Sequence, residues 1–430
     1  MTTQGDVKKY HVITYGCQMN KSDSERIASI FEQYACSPTT NPQEADFIVM
    51  NTCSIRQSAE NRVYSQAHQF NKWKKDKPEL QVVITGCMAP RVDAVQKASG
   101  VDHVLNIKDL AELPSRLGLV RPEDNARGQD YFSIAPKFTT PFQVYIPIMT
   151  GCNNFCTFCV VPFTRGREFS RPMLDVIKEV ENAIAQGAKE ITLLGQNVNS
   201  YAYGFEELLR RINELSGEFW VRFVSSNPQD MSDELIDVVA GGEKLCNYMH
   251  FAVQAGNDRI LKKMNRRHTI EEYNRLIDRM RSAMPDMGMS TDIIVGFPGE
   301  TEEEFEDTVK LCERTQYDMA YISQYSIRTG TPAWRLTDDV PREEKKRRDV
   351  VLTEILKKTA RANAEKLVGT QRKVLIERIN KRGWLSGKEE GFRTVTLPEV
   401  SDEDLIGTFI EVEIIAAHSF GVDGSLVGSK

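Results

Sequence analysis

The sequence predicts an α/β chain in three parts: an amino-terminal open α/β domain, a central partial (β/α)6 barrel and a small all-β barrel at the carboxyl end. Three observations lead there. Short β-branched apolar runs alternate with helical patterns up to about residue 115, the alternation resumes six-fold between 144 and 325, and short strands split by Gly and Asp follow a long charged helix. The expected boundaries are 8–120, 138–368 and 369–430, a division that 430 residues readily accommodate.

In the first part, segments 11–15, 46–51 and 81–85 are short, apolar and β-branched, as buried parallel strands are. Ser22-Asp-Ser-Glu25 has the spacing of a capping box, followed by Ile27, Ile30, Phe31 and Tyr34 at helical intervals, so a helix is expected to start there. Gly118, Pro122, Asn125, Gly128, Pro136 and Pro141 break any period and predict a linker over 118–142. Strands are expected at 144–149, 190–194, 220–225, 248–253, 289–295 and 319–325, with helices between them. That order implies parallel strands with right-handed crossovers, in an open sheet or a partial barrel, since six units are too few for the eightfold one. A charged helix after Pro341 precedes strands at 372–379, 394–397, 408–417 and 425–427.

Composition narrows the function classes. Hydrophobic residues make up 40%, and no uninterrupted apolar run approaches the roughly 20 residues of a membrane helix. The first ten residues lack the basic-then-apolar order of a secretory signal, so a reducing, cytoplasmic setting is expected. Nine cysteines there point to metal ligands, catalytic thiols or buried small residues rather than disulfides. A net charge of −6 argues against a uniformly basic surface and leaves local patches open.

Six of the cysteines form two sets. Cys152-Asn-Asn-Phe-Cys156-Thr-Phe-Cys159 brings three thiolates onto one tight loop directly after a predicted strand. Thiolates favour iron–sulfur clusters or zinc, and three ligands on a four-iron cluster leave one iron open to react. Cys17, Cys53 and Cys87 each follow a predicted strand of the first domain, on the edge where open α/β sheets bind ligands. Zinc completed by a distant residue, for instance His11 or His68 at the second set, is the competing reading. Cys36, Cys246 and Cys312 have no such placement and read as packing residues.

At Cys152 to Cys159 the chain resembles the radical S-adenosylmethionine superfamily, with Phe158 at the aromatic position typical of that motif. Thr14-Tyr-Gly-Cys-Gln-Met-Asn20, Asn51-Thr-Cys-Ser-Ile-Arg56 and Gly86-Cys87 resemble the amino-terminal domain of the methylthiotransferases. Gly166-Arg-Glu-Phe-Ser-Arg-Pro172, Leu193-Leu-Gly-Gln-Asn-Val-Asn199, Thr291-Asp-Ile-Ile-Val-Gly-Phe-Pro-Gly-Glu300 and Gly330-Thr-Pro-Ala333 extend the likeness over nearly the whole chain. Gln18-Met19 is similar to the branch acting on N6-dimethylallyl adenosine in tRNA; the branch that modifies a ribosomal-protein aspartate typically has Gly-Cys-Pro-Lys-Asn there. Two departures are Gly86-Cys-Met-Ala-Pro-Arg91, which keeps the ligand, and the Phe inserted in Gly391-Phe-Arg-Thr394.

The resemblance implies two [4Fe-4S] clusters and S-adenosylmethionine. The cluster on Cys152, Cys156 and Cys159 would generate a 5′-deoxyadenosyl radical that takes hydrogen from adenine C2, and the auxiliary cluster on Cys17, Cys53 and Cys87 would present a methylated sulfur. The implied partners are the anticodon stem-loop of tRNA and an electron-donor protein, with a monomer as the default state. Gly195, Gln196, Asn197, Ser226, Asn227, Gln254, Thr291 and Asp292 end predicted strands and are the expected cofactor-binding residues, as alternatives to turn or capping roles. Arg165, Arg167 and Arg171 are placed to clamp a phosphate or the cofactor carboxylate, with a surface salt-bridge role as the equal alternative. Segment 342–373 holds 11 basic and 5 acidic residues, either an RNA-facing strip or a solvated helix face. The last domain resembles a TRAM module, yet residues 374–430 carry 6 basic against 10 acidic side chains. That leaves a limited basic face of Arg378, Lys381, Arg382, Lys388 and Arg393, with Trp384 and Phe392 either for stacking or, equally, as core residues. Alternatives within the enzyme class are threonylcarbamoyl-adenosine or a ribosomal-protein aspartate as substrate. From another class, an iron–sulfur scaffold or an RNA-binding protein without catalysis would leave the strand-end residues unused.

Overall fold

The computed structural model describes residues 7–53, 57–89, 100–120 and 131–427. The ends of two motifs, 54–56 and 90–91, and residues 121–130 of the expected linker lie outside the described residues. The chain divides into two compact units. The first comprises Met1–Thr140, Thr150–Asn153 and Val160–Arg171, and the second Pro141–Met149, Asn154–Cys159 and Pro172–Lys430.

The first unit is built on a five-stranded parallel sheet of β1 (Lys9–Thr14), β2 (Ser37–Pro38), β3 (Phe47–Thr52), β4 (Gln81–Gly86) and β5 (His103–Val104), in the order β2-β1-β3-β4-β5. Every residue of β3 is buried, as a central parallel strand covered on both faces requires. Helix α1 (Gln18–Gln33) lays Ile27, Ile30 and Phe31 on the sheet. Phe31 stacks between Tyr10 at 4.7 Å and Phe47 at 5.6 Å. A second helix, α2 (Gln57–Trp73), follows β3. The register sets Thr14 opposite Asn51 and Asn51 opposite Thr85, so three strands end side by side.

The start of α1 differs from expectation. Its N-cap is Cys17, whose backbone N–H donates to Asn20 Oδ1 at 3.3 Å, and Ser22 to Glu25 lie inside the helix. The carboxylates that resembled a cap have distant partners: Glu25 accepts from the Thr139 backbone N–H and hydroxyl, both at 2.9 Å, and Asp23 pairs with Arg165.

In the second unit, β6 (Gln143–Pro147), β7 (Glu190–Leu194) and β8 (Trp220–Phe223) pair in parallel, as do β9 (Tyr248–His250), β10 (Gly288–Val295) and β11 (Met319–Gln324). Parallel bridges Val221 to Leu245 and Ser226 to Phe251 join the two groups into one six-strand arc. The partial barrel is therefore the correct choice over a flat open sheet. Helices α3 (Met173–Ala185), α4 (Phe205–Glu214), α5 (Asp233–Gly241), α6 (Asp258–Lys263), α7 (Ile270–Ala283) and α8 (Glu302–Thr315) form the connections. Helix α9 (Arg342–Glu365) leads to a closed barrel of β12 (Gln371–Ile379), β13 (Leu385–Glu389), β14 (Thr394–Leu397), β15 (Phe409–His418) and β16 (Gly421–Leu426). Strand β13 was not expected, because Leu-Ser-Gly-Lys-Glu lacks the β-branched signature; closure of the barrel forms it.

The small barrel is seated on the amino ends of the arc. The buried Arg222 donates to Glu190 Oε2 at 2.6 Å, the Glu390 carbonyl at 2.5 Å and the Glu389 carbonyl at 2.8 Å. Gln143 bonds Glu377 at 2.8 Å, Trp220 meets Phe409 edge-on at 4.7 Å, and Phe392 packs on Tyr248 at 4.8 Å. This corrects the expected basic face. Arg393 is held by Asp318 at 2.7 Å and Glu389 at 3.4 Å, while Lys388 lies over Phe392 with its pKa lowered by burial. Only Arg378, Lys381 and Arg382 stay exposed. Likewise, within α9, Lys345 pairs with Asp338 at 2.5 Å, Arg348 with Glu300 at 2.8 Å, and Arg347 with Glu302 at 2.5 Å and Glu344 at 2.7 Å.

Candidate active site

The first unit places Cys17, Cys53 and Cys87 at the carboxyl ends of β1, β3 and β4. A shared amide network fixes those ends. Asn20 Nδ2 donates to Asn51 Oδ1 at 3.0 Å and to the Thr52 carbonyl at 3.1 Å, and Asn51 Nδ2 donates to the Asn20 carbonyl at 2.7 Å. The Thr52 hydroxyl donates to the Thr85 carbonyl at 2.5 Å, and the Cys87 backbone N–H to the Thr52 carbonyl at 2.9 Å. Asn20 and Asn51 sit within the quoted motifs, but their sequence gives no sign that they bond each other.

Two glycines make the approach possible. Gly16 has φ +129°, and a Cβ there would lie 2.3 Å from Asn20 Oδ1 and 2.8 Å from Cys53 Cβ. Gly86, at φ +87°, would place a Cβ 2.3 Å from the Thr52 carbonyl oxygen. Cys53 and Cys87 are buried. Cys17 is exposed as a residue, yet its sulfur is surrounded by enough protein that lost hydration raises the thiol pKa, opposed by Asn20 and by the charge of Arg165.

Arg165 is the least expected member of this group. Only 6% exposed, it donates through Nη2 to the fully buried Asp23 at 2.7 Å, and Tyr131 donates to the same carboxylate at 2.5 Å. Burial works against its charge, while Asp23, the Cys87 sulfur and Tyr131 favour it strongly enough to raise its pKa well above the usual value. Its Nη1 is buried without a partner among the described residues. Arg171 lies 5.3 Å over the ring of Phe132.

Cys152 belongs to the first unit, where its N–H donates to the Gly166 carbonyl at 3.2 Å; Cys156 and Cys159 belong to the second. None of the nine cysteines is in a disulfide, and among the described residues no three His, Cys, Asp or Glu side chains close around a single-ion position. Phe158 packs against a buried cluster that includes Leu261, Phe297 and Ala333.

In the second unit, strand-end residues divide into those already used and those with atoms to spare. Thr291, fully buried, donates to the Phe251 carbonyl at 2.8 Å and accepts from the Val253 N–H at 3.1 Å. Ser226 turns its hydroxyl to the Met249 sulfur at 3.6 Å, and a Cβ on Gly195 would meet Met149 Cγ at 2.6 Å. Gln196 is half-buried. By contrast, Asn197 and Asn227 each hold a buried Oδ1 with no partner among the described residues. Asn197 Nδ2 donates to Asp230 at 2.7 Å, Gln229 to the same carboxylate at 3.1 Å, and Gln229 also to Asn154 Oδ1 at 2.6 Å, which ties this edge to the cysteine segment. Gln254 adopts φ +77° and bridges β10 through its backbone. Asp292 Oδ2 accepts from His250 Nε2 at 3.1 Å, and the Ser290 hydroxyl faces the other ring nitrogen at 2.8 Å.

The six-strand parallel arc of the second unit sets the class, the radical S-adenosylmethionine fold. Residues 146–312 match the radical SAM superfamily and residues 9–106 match a family described as uncharacterized protein family UPF0004. A radical S-adenosylmethionine methyltransferase from Kitasatospora setae, TsrM, shares the fold with a TM-score of 0.59 at 13% identity over 88% of this chain and 80% of that one. Two relatives carry the name tRNA-2-methylthio-N(6)-dimethylallyladenosine synthase. The one from Dictyoglomus thermophilum is 41% identical over 97% of this chain and 98% of its own length, and the one from Syntrophomonas wolfei 40% over 97% of each. The chain belongs to this family of radical S-adenosylmethionine methylthiotransferases. No described helix is long and apolar enough to cross a membrane.

Proposed function

We propose that this chain transfers a methylthio group to C2 of N6-dimethylallyl adenosine in tRNA, next to the anticodon, using two S-adenosylmethionine molecules. The observation that carries this reading is the pair of cysteine triads, in a chain matching synthases of that name over almost its whole length. Cys152, Cys156 and Cys159 hold a four-iron cluster that takes S-adenosylmethionine, and Cys17, Cys53 and Cys87 hold the auxiliary one. Thiolate donors suit both groups. When bound, the clusters and S-adenosylmethionine supply the one-electron chemistry and the sulfur needed to replace an aromatic C–H.

The protein's share is binding, orientation and exclusion of water. Asn197 Oδ1 and Asn227 Oδ1, buried and unpartnered, would be the acceptors available to a hydrogen-bond donor of the bound cofactor. Gln254 and Asp292 stand on neighbouring strand ends of the same arc, and Gln196 precedes Asn197 in the chain. Phe158, Gly195, Ser226 and Thr291 support this edge through packing and strand cross-links, which fix the ligand-bearing residues in one geometry. Arg165 sets a positive charge beside Cys17 and Cys87, countering negative charge on the thiolates. The tRNA and an electron-donor protein are the partners, acting on a monomer in the cytoplasm.

Nucleoside mass spectrometry of tRNA decides the matter, using a bacterial strain that lacks this step and expresses the chain. The 2-methylthio derivative of dimethylallyladenosine is expected. Unthiolated precursor alone, from soluble cluster-loaded protein, overturns the reading; thiolated threonylcarbamoyl-adenosine or ribosomal-protein aspartate would reassign the substrate.

A further inference from the structure

The loop between α6 and α7 grips the cysteine segment at several points. The Thr157 N–H donates to the Met264 carbonyl at 3.0 Å and its hydroxyl to the Lys263 carbonyl at 2.9 Å. Asn265, itself at φ +57°, donates through Nδ2 to the carbonyls of Asn154 at 3.0 Å and Phe155 at 3.1 Å. The next residue does something different: Arg266 donates through Nη1 to the Cys156 sulfur at 3.6 Å.

That guanidinium is fixed and uncompensated. Nη2 donates to the Ala252 carbonyl at 2.6 Å, Nε is buried without a partner, and no carboxylate lies within ion-pair distance of Arg266 among the described residues. Hydrogen bonds from Thr157 and from the Asn265 side chain already hold the segment, so anchoring does not require a cation on the sulfur. A cation that donates to a cluster thiolate favours the form with more negative charge, which is the reduced one. Hydrogen bonds to ligand sulfurs are among the established levers on cluster potential.

Resting on the assignment of Cys156 as a cluster ligand, we propose that Arg266 is a positioning residue that raises the reduction potential of the Cys152, Cys156 and Cys159 cluster. It makes the cluster easier to reduce by the electron donor.

The test is an EPR-monitored redox titration of the reconstituted full chain carrying Cys17→Ala, Cys53→Ala and Cys87→Ala, so that one cluster is read. In that background Arg266→Met is expected to lower the reduction equilibrium constant about tenfold, a midpoint shift of about 59 mV to more negative potential. Arg266→Lys, which keeps charge without the planar fork, falls between. Asn265→Ala loosens the same loop, keeps the guanidinium and leaves the midpoint unchanged. An unshifted Arg266→Met midpoint overturns the proposal, as does an equal shift in Asn265→Ala, which would make the effect mechanical. If Arg266→Met fails to take up iron, the Arg266→Lys midpoint decides alone, an unshifted value being refutation. Absence of any cluster in the Arg266-intact background is a distinct result that refutes the ligand assignment itself.

Discussion

Asp23 offers the most exacting test of how the first unit is held around its cysteines. Its carboxylate is fully buried and accepts from Arg165 at 2.7 Å and Tyr131 at 2.5 Å, with both partners buried. Asp23→Ala leaves a guanidinium in the interior with no counter-charge. Breaking one side of a buried pair costs about 3–5 kcal/mol, far more than the 0–1 kcal/mol of an exposed pair. Native-state hydrogen exchange of the β1 and β3 amides reads the opening free energy of this unit without assuming that the whole chain unfolds at once. The expected loss speeds exchange there by roughly two to four orders of magnitude, since each 1.4 kcal/mol is tenfold. Arg165→Met should cost a similar amount by stranding Asp23. The double variant should cost less than the sum by about 2 kcal/mol or more, because both charges are then gone. Single losses below about 1 kcal/mol, or additivity within 0.5 kcal/mol, would refute the claim that this pair locks the unit.

Two further outcomes follow from the site. Cys159→Ala should abolish reductive cleavage of S-adenosylmethionine, whereas Cys53→Ala should keep abortive cleavage and lose thiolation; thiolated tRNA from both variants would break the ligand assignment. His268 is buried with neither ring nitrogen partnered among the described residues, and burial, aided by the charge of Arg266, lowers its pKa from 6.5 to about 3. The native state therefore holds it neutral while the unfolded chain protonates below about pH 6.5. Stability from this group is full above that pH and falls as pH drops toward 3, by roughly 1.4 kcal/mol between pH 8 and 5.5. Unfolding of wild type and His268→Leu at both pH values checks it, and an equal pH dependence in the two proteins would count against it.

What was legible in the sequence was set by local pattern. The three apolar runs of the first domain read correctly, most plainly β3 and β4, because a strand covered on both faces must be apolar throughout, and the cysteines after them inherit the sheet's edge. The start of α1 was misread because Ser22 and Glu25 imitate a cap that Cys17 and Asn20 supply. Asp23 and Arg165 are 142 residues apart, a separation no local rule bridges. The same limit governs the basic run before residue 373. Its net charge of +6 is real as a sum, but Lys345, Arg347 and Arg348 are held by Asp338, Glu300, Glu302 and Glu344, most of them from outside the run.

The seating of the small barrel constrains how RNA can be used. Arg222, Gln143 and Arg393 fasten it to the amino ends of the arc, and Phe392, the inserted residue, packs on Tyr248 at the start of β9. The unpartnered Oδ1 atoms of Asn197 and Asn227 and the Arg266 contact to Cys156 all lie past the carboxyl ends of strands. Strand β10 runs 8 residues from one end to the other. At about 3.3 Å per residue that is roughly 26 Å. Contacts made through the exposed Arg378, Lys381 and Arg382 of this barrel therefore start about a strand's length from the proposed cofactor edge. A stem-loop held there must reach along the arc to deliver its adenosine, so charge reversal at these three residues should weaken tRNA binding while leaving cleavage of S-adenosylmethionine without RNA intact.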